Sequence, residues 1–168
     1  MRVLLLMDVG GSMDPHAHLV SLLFSAASKA SHFKEFRPLY FHNCVYGKVY
    51  QDAYLTKAVT VADLFKQTTR ETKLVIVGDA LMNPAELLRV GGSIHYGDYN
   101  DVEGAVWMRR LAEQYRRSAW LNPEPPVYWR QGTAEILSKM FHMFPLTLQG
   151  IEEASTHLVA GRTRWPTQ

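Results

Sequence analysis

Asp8, Ser12, Asp79 and Thr60 are the residues whose types and spacing point to chemistry. The segment Leu4-Leu5-Leu6-Met7-Asp8-Val9-Gly10-Gly11-Ser12-Met13 is an apolar run that ends in an acid, then a glycine pair, then a serine. A strand that stops on Asp8 and turns through Gly10 and Gly11 carries a carboxylate and a hydroxyl to one sheet edge. Hard oxygen donors of this kind suit a divalent cation such as Mg²⁺, with Mn²⁺ or Ca²⁺ as alternatives. Asp79 closes a second apolar run, Lys73 to Val77, after Gly78. Two carboxylates at a dry rim repel, which raises one pKa or admits a cation. Ser12 and Thr60 are expected to coordinate directly, with Asp8 and Asp79 holding water ligands. One position then stays open for a carboxylate from another protein. Thr56, in the same loop, is the alternative to Thr60.

Each of these residues also has a plainer role. Asp8 could cap the turn that follows it, Asp79 the helix after Pro84, and Thr60 a helix of its own, with a contribution of ~1 kcal/mol. Asp14 reads as a solvated turn residue. His16 and His18 are two apart and diverge on a helix, so they cannot share a metal. A Mg²⁺-dependent phosphoesterase or nuclease is the rival reading, but it needs a close cluster of acids. Asp14, Asp98, Asp101 and Glu103 form no such pattern. Haloacid-type phosphatase chemistry wants a second Asp two residues after Asp8, where Gly10 stands. There is no glycine-rich lysine loop for nucleotide phosphate, and Gly11-Ser12-Met13 lacks the flanking glycine of a nucleophile elbow.

The elements that must position these residues alternate between strand and helix. Val3–Met7 reads as a central strand covered on both faces. Leu19, Leu22, Leu23, Ala26 and Ala30 give a helix over 16–33. Pro38 to Phe41 and Val45 to Tyr50 read as strands of a hairpin around Asn43 and Cys44. Thr60 and Asp63 open a capped helix, with Val61, Leu64 and Phe65 on its apolar face. The buried strand 73–77 follows, then a short helix from Pro84. A loop over Gly91 to Asn100, with Tyr96, Asp98 and Tyr99, is the candidate for partner specificity. A helix over 102–116 offers Val106, Trp107, Leu111 and Tyr115 to the core. A strand at 118–121, a helix near 131–141, a strand at 143–146 and a helix over 148–159 complete the pattern. Trp107, Trp120 and Trp129 read as core or loop anchors. The expected fold is α/β: a doubly wound, mostly parallel sheet with helices on both faces and one antiparallel edge strand. In such sheets ligands sit outside the carboxyl ends of strands where strand order reverses.

The chain has 168 residues, enough for one domain, expected over 1–160 with a frayed tail at 161–168. With 47% hydrophobic and 20% charged residues it is globular rather than disordered. A net charge of +2 makes no case for nucleic acid, and Arg109, Arg110, Arg116 and Arg117 read as a solvated helix face. Cys44 is the sole cysteine, so there is no internal disulfide and a reducing, cytoplasmic compartment is expected. The apolar N-terminal run is too short to span a membrane.

Asp8-Val9-Gly10-Gly11-Ser12 resembles the Asp-x-Ser-x-Ser element of the von Willebrand factor A domain, whose metal-ion-dependent adhesion site adds a threonine and a late aspartate. On that resemblance the metal set is Asp8, Gly10, Ser12, Thr60 and Asp79. Gly10 stands where the family has its first serine, so one hydroxyl ligand is replaced by water. Val77-Gly78-Asp79-Ala80-Leu81-Met82-Asn83-Pro84, Gly91-Gly92-Ser93 and Phe144-Pro145-Leu146-Thr147 resemble the bacterial CoxE-like proteins over nearly the whole chain. That resemblance implies a non-catalytic, cation-dependent protein-binding module that works with a MoxR-type AAA+ ATPase. It also implies that the domain is the C-terminal part of a longer chain, in keeping with a first strand that begins at the first residues.

Overall fold

A computed structural model of the protein describes residues 1–29, 35–95 and 97–160. Among these residues seven strands are joined in one sheet: β1 (Arg2–Asp8), β2 (Glu35–Phe41), β3 (Lys48–Tyr50), β4 (Ala58–Thr60), β5 (Lys73–Val77), β6 (Ser118–Asn122) and β7 (Met143–Pro145). Their order across the sheet is β4-β3-β2-β1-β5-β6-β7. β1 pairs in parallel with β2 and β5, and β6 and β7 continue the parallel set. Antiparallel pairing is confined to the β2–β3–β4 edge. The fold is therefore the α/β, mostly parallel sheet that the strand and helix alternation predicts.

Among the described residues six helices cover the sheet: α1 (Ala17–Lys29), α2 (Val61–Gln67), α3 (Pro84–Leu88), α4 (Gly104–Gln114), α5 (Gly132–Ser138) and α6 (Leu148–Ala160). The period-2 alternation of β1 divides two cores. Leu4 and Leu6 pack with residues of α2, α3, α4 and α5, among them Leu64, Leu87, Met108 and Leu137. Val3 and Leu5 pack with Val20 and Leu23 of α1 and with Ile151 and Leu158 of α6. Both β1 and β5 are thus buried on two faces, which is why their sequences are nearly unbroken apolar runs. Among the described residues no helix is long and apolar enough to cross a membrane.

Several local expectations need correcting. The residues before α1 form a 3₁₀ turn, Gly11–His16, and Ala30 and the expected helix end at 30–33 lie outside the described residues, as do Tyr96 and the tail 161–168. On α1, Leu19 and Leu22 are exposed; Val20 and Leu23 make its core contacts. Val45 to Tyr50 is a strand only from Lys48, because the chain after β2 turns sharply at Asn43, which has a left-handed backbone. β4 was not anticipated: three residues carry too short a pattern to read. α4 ends at Gln114, so Arg116 and Arg117 stand in its connection to β6 rather than on a helix face.

Candidate functional site

The chain runs from β1 outward through β2, β3 and β4, then returns to the other side of β1 with β5. The strand order therefore reverses between β1 and β5, and their carboxyl ends carry Asp8 and Asp79. Met7 is in register with Val77, so the two acids end neighbouring strands on one rim. Both are buried, at 6% and 1% exposure. Gly78 lets them approach, since a Cβ there would lie 3.1 Å from Asp8 Cβ and 3.4 Å from its Oδ2.

Ser12 closes the group. Its hydroxyl donates to Asp79 Oδ2, which ties the 3₁₀ turn after β1 to the loop after β5. The turn can fold back this way because Gly10 takes φ +79°, a region costly for residues with a Cβ. A Cβ at Gly10 would also meet His42 Nδ1 at 3.3 Å, and that nitrogen donates to the Val9 carbonyl at 2.7 Å. Gly10 is thus fixed by backbone geometry and a close imidazole.

The other oxygen of Asp79, Oδ1, accepts from Leu81 N at 2.9 Å, and Asp8 Oδ1 accepts from Asn43 N at 2.9 Å. Neither acid caps a helix. Asn83 caps α3 and forms a capping box with Glu86, while the 3₁₀ turn begins at Gly10 with no side-chain cap. Burial is the main influence that pushes the Asp8 carboxyl up to about 8. The Asn43 amide opposes it, and the charges of Asp79 and Glu86 add to the rise.

Thr60 is not brought to this point. It lies on β4, the outermost strand, three strand spacings from β1 or ~14 Å laterally. Its exposed hydroxyl accepts from Asp63 N at 3.1 Å as the N-cap of α2. Thr56 is elsewhere too: its hydroxyl donates to Asp52 Oδ2 at 2.8 Å in the β3–β4 turn. Of the five residues expected to share the site, Asp8, Gly10, Ser12 and Asp79 converge and the threonine does not.

Trp120, expected as an anchor, and three buried polar residues given no site role from the sequence, Asn122, Thr133 and Glu86, build the surroundings. Trp120 Nε1 donates to the Gly78 carbonyl at 2.8 Å and Asn122 Nδ2 to the Asp79 carbonyl at 3.1 Å. Thr133 donates to the Ala80 carbonyl at 2.7 Å and accepts from Met82 N at 3.2 Å. These bonds hold three successive carbonyls after β5, and they fix Ala80 at φ +60°. Glu86, 2% exposed, accepts from Asn43 Nδ2 at 2.9 Å and Asn83 N at 3.0 Å, so it locks the Asp8-binding loop to α3.

Among the described residues no three His, Cys, Asp or Glu side chains converge in a way that could hold a metal. The available donors are two carboxylates and one hydroxyl. They suit Mg²⁺, which retains several waters and needs few protein oxygens, better than a site built wholly from protein ligands. Cys44 is no donor here: burial pushes its thiol up to about 12.

Compared with known proteins, the chain matches no family model, no curated protein and no solved structure.

Proposed function

We propose that the protein is a non-catalytic, divalent-cation-dependent binding module, in which Asp8, Ser12 and Asp79 hold a Mg²⁺ ion whose open position is filled by an Asp or Glu of a partner. The contact of Ser12 with Asp79 beside Asp8 carries this reading, because it draws a hydroxyl and two buried carboxylates together at the point where strand order reverses. Water takes the places that Gly10 and the distant Thr60 leave. A cation offsets the burial, and the lesser repulsion from Asp79 and Glu86, that raise the Asp8 pKa in its absence.

Phosphoester hydrolysis is the weaker reading. It needs a further acid at the ion, and both carboxylate oxygens of Glu86 already accept hydrogen bonds. The CoxE-like resemblance supports a role alongside a MoxR-type AAA+ ATPase, and the single cysteine a reducing, cytoplasmic compartment. The test is affinity capture from the native cell extract with Mg²⁺ or EDTA. The expected result is a partner retained only with Mg²⁺ and lost with Asp8→Ala. Retention that ignores both EDTA and the substitution would defeat the proposal.

A further inference from the structure

The opposite end of the sheet, at the amino ends of β1 and β5, has a chemistry of its own. An open cavity of about 780 Å³ there is lined by Arg2, Arg70, Lys73, Arg116 and Arg117. Among the described residues two carboxylates line it, Glu35 and Glu71. This local excess of positive charge is larger than the net +2 of the whole chain. Glu35 pairs with Arg2 at 3.2 Å. Arg117 donates to the Val159 carbonyl near the end of α6 at 3.4 Å.

Lys73 is the unusual member. It opens a central strand, is 9% exposed, and makes no ion pair among the described residues. A lysine so deeply covered is ordinarily paired. Burial first, and then the charge of Arg117, lower its pKa, while the nearby charge of Glu71 offsets part of that effect. A smaller cavity of about 140 Å³ adjoins it, sharing Arg2, Glu35, Thr69 and Thr72 and adding Thr68. Guanidinium forks, a lysine ammonium and nearby threonines are groups that bind phosphate oxygens.

We propose that this cavity binds a small phosphate-type oxyanion carrying two or more charges. The concave shape fits a compact ligand. A nucleic-acid strand is disfavoured, because among the described residues no aromatic side chain lines the cavity for a base to stack on. The site is separate from the proposed cation site, which ends the same strands at the far rim.

The test is isothermal titration of the full chain with inorganic pyrophosphate, in buffer free of divalent cations so that the rim site plays no part. The expected result is one ion per chain, with an affinity that falls as salt is raised. Lys73→Met is expected to weaken binding at least about tenfold, the scale of one lost charge-assisted hydrogen bond. Arg116→Gln, at an exposed position that the fold does not need, is expected to weaken it in the same direction. Absence of binding, or equal binding by wild type and both variants, would overturn the proposal. So would an oligothymidylate that displaces pyrophosphate and binds more tightly, since that would assign the surface to a nucleic-acid backbone.

Discussion

A carboxyl group buried at the end of β1, within reach of the charges of Asp79 and Glu86, keeps its proton to about pH 8. Its folded pKa therefore lies above the unfolded value of ~3.9, and the folded state binds more protons across that window. In EDTA the contribution of Asp8 to stability is full below pH 4 and is lost as pH rises through 8. The slope is at most ~1.4 kcal/mol per pH unit from this one group. Asp8→Asn keeps an acceptor for Asn43 N and removes the buried charge, so the variant is expected to melt higher than wild type at pH 8 in EDTA. Thermal melts from pH 5 to 9 check this, and an unchanged alkaline limb in the variant would contradict it. A cation must displace the Asp8 proton, so ion affinity is expected to weaken as pH falls below 8.

At the scale of elements, the separation between cap and ligand is open to a direct comparison. Thr60→Ala is expected to cost ~1 kcal/mol through loss of the α2 cap and to leave the response to Mg²⁺ intact. Thr133→Val strands the Ala80 carbonyl and Met82 N, at ~1–3 kcal/mol, and is expected to weaken that response because it loosens the loop that carries Asp79. Denaturant unfolding with and without Mg²⁺ distinguishes the two outcomes. The same pair shows what could be read from the chain alone. A threonine ahead of an apolar period looks identical whether it caps a helix or binds an ion, and only strand order sends Thr60 to the sheet edge. Thr133 meets Ala80 across 53 residues and Glu86 meets Asn43 across 43, so no local spacing reveals either. β1 and β5 were legible because burial on both faces makes them continuous apolar runs. β3 was legible only as the end of the longer run 45–50, and β4, with three residues, was not.

The whole molecule is a sheet with unlike ends. Buried acids gather where the strands finish, and cations gather where β1 and β5 begin. Parallel strands make this polarity possible, since each end collects the connections of one sense. Two helices on one face and four on the other hold the strands that carry both clusters, so the rim acids are set by the core rather than by a mobile loop. The central claim is that Asp8, Ser12 and Asp79 together form a cation site, and thermal unfolding in a Mg²⁺ titration at matched ionic strength tests it most directly. Wild type is expected to gain about 2.7 kcal/mol at a hundredfold excess of ion over its dissociation constant, while Asp8→Asn and Ser12→Ala gain little or nothing. A wild-type melting temperature that does not move with Mg²⁺ or Mn²⁺, or a rise that both variants share in full, would contradict the account.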